Sequence, residues 1–288
     1  MEQLNLSDAT IILGFFDGIH TGHRRVISGA VDFGHRMNSE ILLLTFKKSP
    51  AEYFKKNNVY IYNREHNYKI IKDLGVNHII EKDFEELVSI SAQNYLQMIA
   101  KKYTPKAIFT GFNYTFGDSR IGTPDYLSKY QAEYGYKYFC VNPVIYKNDT
   151  VSSTRIKELL NSGNIDEANK MLEVPFTITS EVIKGAHIGS TLGFPTANMK
   201  YPEQIVKIPF GVYKVNVFDK PAVLNWGTKP TFNGEEPILE VYIPKFEGDL
   251  YGKTLQIQIL KRIRDEKKFG SIEELKYQIN KDLKECSE

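Results

Sequence analysis

Two histidines three residues apart, His20 and His23, stand in the segment Gly14–His23 (GFFDGIHTGH), directly after the apolar run Ile11-Ile12-Leu13. The run reads as a buried strand, and His20-Thr21-Gly22-His23 opens a helical pattern that continues through Arg24, Arg25, Val26 and Ile27. Residues three apart share one side of a helical turn. Both imidazoles therefore face the region at which the helix's first N–H groups and positive end also aim, which describes a phosphate site. Donors of this kind suit a polyphosphate whose charge rises in the transition state. Gly18 and Gly22 allow positive φ or the close approach of an anion. The alternative reading is structural: one histidine caps the helix and the other is a surface residue.

The elements that must position this segment follow from the pattern up to about Glu173. Short apolar strands alternate with helices: Ile11–Phe16, then a helix; Ile41–Phe46, then a helix over Glu65–Leu74; Ala107–Thr110, then a helix over Asp125–Tyr134; then Lys137–Val141. Such alternation predicts a Rossmann-like α/β domain, a parallel sheet covered by helices, with ligands at the carboxyl ends of its strands. His20 and His23 lie at such an end. Two short helices follow, Thr154–Asn161 and Ile165–Leu172.

After Pro175 the texture changes. Strand-like runs at Phe176–Val182, Val212–Phe218, Ala222–Leu224, Leu239–Ile243 and Leu255–Leu260 follow one another with no helix between them. They predict a small antiparallel β-barrel, closed by an amphipathic helix near Ser271–Leu283. The boundary is expected near residues 173–175, giving domains 1–173 and 174–288.

At 288 residues the chain has room for a core in each domain. Its net charge of +2 makes no field for nucleic acid. Cys140 and Cys286, far apart, form neither a disulfide framework nor a zinc site, and a reducing cytoplasmic compartment is expected. No signal-peptide layout opens the chain, and no apolar stretch approaches the ~18 residues of a membrane helix. The composition leaves oligomeric state open.

Two further clusters accompany the histidines. Gly111-Phe112-Asn113-Tyr114-Thr115-Phe116-Gly117 follows the strand at Ala107–Thr110, and Ser152-Ser153-Thr154-Arg155-Ile156 opens a helix with three hydroxyls, free backbone donors and a guanidinium suited to phosphate. Alone, the first also reads as a turn with core aromatics and the second as an ordinary cap.

Together and in this order, the three clusters resemble the prokaryotic FAD synthetases, which fuse an FMN adenylyltransferase to a riboflavin kinase; HxGH itself is shared across the nucleotidyltransferase superfamily. The resemblance spans nearly the whole chain. It includes Gly193-Phe194-Pro195-Thr196-Ala197-Asn198, Glu240 within Leu239-Glu240-Val241, and Asn225, Gly227, Pro230, Thr231 and Phe232 of an NxGxxPTF pattern. Read alone, PTAN is a Pro-initiated turn with an Asn cap, and Glu240 a surface carboxylate.

The resemblance implies ATP, FMN and riboflavin as substrates, FAD as product, and Mg²⁺ or another divalent ion as cofactor. It gives His20, His23, Asn113 and Arg155 to adenylyl transfer, with Gly14, Phe15, Asp17, Gly18, Gly22, Ser152, Ser153 and Thr154 around ATP, and Phe46 and Phe116 against the flavin. It gives Gly193, Pro195, Thr196 and Asn198 to the kinase nucleotide, with Thr196 and Asn198 at the metal. Glu240 takes the proton of the ribityl hydroxyl.

The chain departs from the family pattern at several positions. Phe15 replaces an Asn, Lys47-Lys48-Ser49-Pro50 replaces Asp-Pro-His-Pro, and Ser190, Lys229 and Tyr242 replace two Arg and a His. A guanidinium lost from a phosphate costs about 1.5–3 kcal/mol, roughly ten- to hundredfold in rate, so a weakened kinase is expected. A lysine at 47 or 48 lying against the flavin would favour its anionic reduced form. Other readings are an adenylyltransferase with a degenerate kinase domain, a non-catalytic flavin-binding regulator, and a nucleotidyltransferase for another acceptor.

Overall fold

Residues 10–13 (TIIL) carry one polar side chain, Thr10, whose buried hydroxyl pairs with Ser39 Oγ at 2.6 Å, and they form the central strand of a parallel sheet. The computed structural model describes residues 6–54, 59–184, 194–231 and 234–287, with side chains described except at 229–231, 234, 235 and 287. The chain folds into two compact units, residues 1–59 with 64–153 and residues 60–63 with 154–288.

In the first unit the strands are β1 (Thr10–Leu13), β2 (Ile41–Phe46), β3 (His78–Lys82), β4 (Ala107–Gly111) and β5 (Lys137–Val141), in the order β3-β2-β1-β4-β5, all parallel. Alternate residues of β1 point to opposite faces. Ile11 and Leu13 join one apolar cluster with Tyr95, Leu96 and Ile99, and Ile12 joins the other with Val26, Ile27 and Ala30. Thus α1 (Thr21–Met37) and α3 (Arg64–Asp73) cover one face, and α5 (Ala92–Tyr103) and Leu127 of α6 (Pro124–Tyr134) the other. The chain enters at the middle of the sheet and winds both ways, so β1 and β4 flank the switch point where such sheets bind ligands.

Among the elements beyond those expected are β3 and α5. β3 is a short edge strand of half-buried residues, HIIEK, with no clear alternation. α5 does carry a signal, a Ser91 cap followed by Tyr95, Leu96, Ile99 and Tyr103 on one face.

In the second unit β8 (Phe176–Ile183), β9 (Thr196–Met199), β10 (Gly211–Val217), β11 (Lys220–Thr231), β12 (Gly234–Tyr242) and β13 (Thr254–Arg264) close into a barrel in the order β10-β11-β12-β9-β8-β13. Thr196–Met199 is a strand paired on both sides, which corrects the reading of PTAN as a turn. β11 runs much farther than Ala222–Leu224, because pairing with β10 and β12 overrides the weak strand propensity of Asn225, Gly227 and Pro230. The last helix, α7 to α9 in chain order being α7 (Ser153–Asn161), α8 (Ile165–Leu172) and α9 (Ile272–Ser287), seals the outer wall with Leu283 and Cys286 against Val212, Val223 and Ile263. Arg264 forks onto the Asp282 carboxylate, Nη2 to Oδ2 at 2.8 Å and Nε to Oδ1 at 3.1 Å, and ties α9 to β13.

The sequence boundary at 173–175 falls inside this second unit. Asn169 of α8 explains why: its Oδ1 accepts from Phe176 N–H at 2.7 Å and its Nδ2 donates to Ile259 O at 2.9 Å, pinning the helix to β8 and β13.

Candidate active sites

The loop after β1 reverses through two consecutive left-handed residues, Gly18 (φ 82°) and Ile19 (φ 42°), and delivers His20 to the N-cap of α1. His20 Nδ1 accepts from His23 N–H at 3.3 Å, and the two imidazoles stack with centroids 3.7 Å apart and planes 17° from parallel. Gly22 makes this possible, since a Cβ there would sit 3.1 Å from His20 Cε1. Phe16 closes the far side, its ring edge-on to His23 at 5.1 Å.

Burial sets the charge of the pair. Desolvation pushes His20 down to about 4, and burial together with the neighbouring His20 pushes His23 well below its ordinary 6.5. Both rings are neutral near pH 7. His23 Nδ1 and Thr21 Oγ are buried without a hydrogen-bond partner.

The loop is held from behind. Ser153 Oγ donates to Asp17 O at 2.9 Å, and Gly18 N–H donates to Asn67 Oδ1 at 3.1 Å. Beside it, β4 runs into Gly111–Gly117, where Asn113 is exposed and Phe112 presents 43% of its surface. Tyr114 is tucked under this loop, its hydroxyl 3.3 Å from Tyr95 Oη.

The barrel carries a second constellation. Cross-strand register aligns Asn225 of β11, Glu240 of β12 and Asn198 of β9 in one row. Val241, Leu224 and Leu239 fill the core, so the alternating residues of the row share the other face. Asn225 Nδ2 donates to Glu240 Oε2 at 3.4 Å. Along β11, Gly227 leaves the space that the Glu266 carboxylate occupies. At the end of β9, Pro195, Thr196 and Asn198 line a cavity of about 150 Å³ together with Val182, Phe246 and Tyr251.

Comparison with known proteins matches both halves. Residues 2–155 fit the FAD synthetase family model and residues 172–288 the riboflavin kinase model. The chain is 32% identical to the bifunctional riboflavin kinase/FMN adenylyltransferase of Escherichia coli K12, covering 98% of this chain and 93% of that one. It is also 32% identical to the protein of the same description from Bacillus subtilis, with coverage of 96% and 91%. The chain belongs to the bifunctional riboflavin kinase/FMN adenylyltransferase family. A solved structure described as a macrolide-efflux protein from Streptococcus pneumoniae shares the fold, with a TM-score of 0.87 and 31% identity over 98% of this chain and 94% of that one. Among the described residues, no helix of this family member is long and apolar enough to cross a membrane.

Within this bifunctional family member the residues expected at the sites are placed as follows. Gly14, Phe15, Asp17, Gly18, His20, Gly22 and His23 form one continuous loop and helix start, joined by Ser153 through its bond to Asp17 O; Ser152 belongs to the same unit. Thr154 and Arg155 follow Ser153 in the first turn of α7 and belong to the second unit. Phe46 ends β2, half-buried, with Phe84 edge-on at 5.3 Å. Phe116 is a core residue, 7% exposed and packed by Tyr95, Tyr114 and Tyr126; its ring supports the Gly111–Gly117 loop from below. Lys47 pairs with Asp83 at 2.7 Å, and Lys48, largely exposed, approaches Glu52 at 3.8 Å.

Gly193, Ser190 and Phe232 lie outside the described residues, as do the side chains of Lys229, Pro230 and Thr231. Tyr242 meets Phe194 edge-on at 5.4 Å. Two contributors to the first site were given no role by the sequence: Phe16, which lies within the Gly14–His23 motif as an apolar residue, and Asn67, a polar residue of α3 that nothing in the sequence links to Gly18.

Proposed function

We propose that the loop Gly14–His23 is the adenylyl-transfer site and that the row Asn198–Glu240–Asn225 is the phosphoryl-transfer site of a bifunctional enzyme, which converts riboflavin to FMN and FMN to FAD. By chemistry the division is 1–173 and 174–288, although α7 and α8 pack with the barrel. The observation that carries the first assignment is the neutral, stacked imidazole pair at the start of a 17-residue helix, beyond the central strand of the sheet.

In adenylyl transfer the nucleophile is a phosphate oxygen of FMN, already anionic at neutral pH. It attacks the α-phosphorus of ATP; a P–O bond forms to FMN, and the bond to pyrophosphate breaks. No protein base is needed. The chain has to align the two phosphates and meet the developing charge. The first N–H groups of α1, the N–H faces of His20 and His23 and the hydroxyls of Ser152 and Thr154 supply neutral donors; Arg155 adds a fixed positive charge. Asn113, exposed beside the loop, takes the flavin side, with Phe46 against the ring system.

The kinase step begins from an alcohol, so a proton must leave. Glu240 accepts it, and Asn225 holds that carboxylate in place. Thr196 and Asn198 offer hard oxygen donors at the nucleotide cavity, the set that Mg²⁺ takes beside phosphates. Among the described residues no cluster of three His, Cys, Asp or Glu side chains could hold a metal by itself, which fits an ion that arrives on the nucleotide. When bound, the ion neutralises charge on the phosphates. A chain with these sites works in the reducing cytoplasm, where its two cysteines stay free thiols.

The test is a pair of assays with Mg²⁺ and ATP, one started from FMN and one from riboflavin, products resolved by flavin fluorescence. FAD from both is expected. FAD from FMN alone would show that Ser190, Lys229 and Tyr242 have disabled the kinase, and product from neither would overturn both assignments.

A further inference from the structure

One peptide unit in the adenylyl-transfer loop is gripped at both of its polar ends. The carbonyl of Asp17 accepts from Ser153 Oγ, and the N–H across the same peptide bond, that of Gly18, donates to Asn67 Oδ1. Asp17 and Asn67 are 3% and 6% exposed, so this plane is clamped away from water. Rotation of a peptide plane is the cheap local motion of a tight turn, because it changes only the ψ before it and the φ after it. Here that φ is the 82° of Gly18, from which the left-handed Ile19 and then the cap residue His20 are delivered. A flip would carry the imidazole pair off its register and leave a buried N–H without an acceptor.

Asn67 is held by its own helix, α3, whose Ile71 is fully buried in the core against the sheet. The four residues before that helix belong to the second unit: there Tyr60 N–H donates to Gln204 O and Tyr60 O accepts from Val206 N–H, both at 2.8 Å, and the buried Tyr62 ring stacks on Phe176 at 6.0 Å.

We propose that Asn67 is a positioning residue for adenylyl transfer: by accepting from Gly18 it holds the Asp17–Gly18 peptide in the orientation that sets His20 and His23. The inference rests on the assignment of adenylyl transfer to this loop. Asn67 touches no substrate and acts only through the loop's geometry. A carboxylate at position 67 would keep the acceptor and add a negative charge behind a polyanion site.

The experiment compares full-length wild type, Asn67→Ala, Asn67→Asp and His23→Ala, measuring kcat and KM for ATP in FAD formation, the rate of riboflavin phosphorylation, and Tm. Asn67→Ala is expected to lower kcat for FAD formation about tenfold or more. Asn67→Asp is expected to retain kcat within about threefold and to show the loss as a raised KM for ATP. Riboflavin phosphorylation stays unchanged in both. Alanine and aspartate variants impaired equally, an alanine variant within twofold of wild type, or a parallel loss of both activities with Tm would overturn the proposal. FAD formation that survives His23→Ala would instead remove the assignment on which it stands.

Discussion

His20 and His23 hold each other in place: the ring nitrogen Nδ1 of His20 accepts the backbone N–H of His23, and the ring of His23 lies flat on that of His20. The cap of the helix and the face of the site are thereby one structure. A neutral pair donates without the cost of burying a cation, and a bound polyanion would raise the affinity of both rings for protons.

The pair makes stability depend on pH in a defined direction. His20 in the fold takes a proton only near pH 4, whereas in the unfolded chain it does so near 6.5. Stability is complete above pH 6.5 and is lost as the pH falls from there through 4, by about 3 kcal/mol for this residue at the acid end. A plot of Tm against pH should fall across that window in wild type and more shallowly in His20→Asn, which retains an N-cap acceptor. A profile identical in the two proteins would rule this account out.

Gly22→Ala should damage one reaction only. The new methyl would press on His20 Cε1 from 3.1 Å and tilt the stack. FAD formation from FMN is expected to slow about tenfold, with riboflavin phosphorylation unaffected; equal slowing of both would mean that the substitution acts on folding.

Glu240→Gln should do the reverse. It preserves shape and removes the proton acceptor, so riboflavin phosphorylation is expected to fall by about 10²–10⁴ while FMN adenylylation stays within twofold. Asn225→Ala, which frees the carboxylate from its 3.4 Å contact, should cost less than Glu240→Gln. Steady-state rates from the two substrates check both statements.

Asp282→Ala strands the guanidinium of Arg264, whose partner carboxylate is only 4% exposed. Gln278 Nε2, 2.8 Å from Asp282 Oδ1, loses its acceptor too. A loss of about 3 kcal/mol is expected from breaking such a pair on one side, read as a lower urea midpoint. The double variant Asp282→Leu with Arg264→Met should recover much of it.

Much of this was legible in the residues themselves. The change from alternating strands and helices to consecutive strands after Pro175 pointed to both architectures, and HxGH after an apolar run pointed to the loop that the fold sets at the end of the central strand. What stayed hidden depends on contacts between distant segments. Asn67 has no local signature, since its role comes from meeting Gly18 across the turn of the fold. β9 is hidden by a sequence that favours a turn and becomes a strand only because β8 and β12 pair with it. Phe116 lies in a motif yet sits in the core, a distinction that periodicity does not make.

The excursion of Tyr60–Asn63 into the second unit bears on how this protein can be divided. The backbone passes between the two units three times, after residues 59, 63 and 153, so no single cleavage separates them. A fragment ending near residue 173 would keep Tyr60 and Tyr62 but lose Phe176 and the Gln204–Val206 ladder, leaving the buried Tyr62 ring without its stacking partner. The barrel expressed from residue 174 would lack the same plug from the opposite side. The two catalysts are thus stitched rather than strung together, and an engineer seeking either one alone would have to graft a surface as well as choose a terminus.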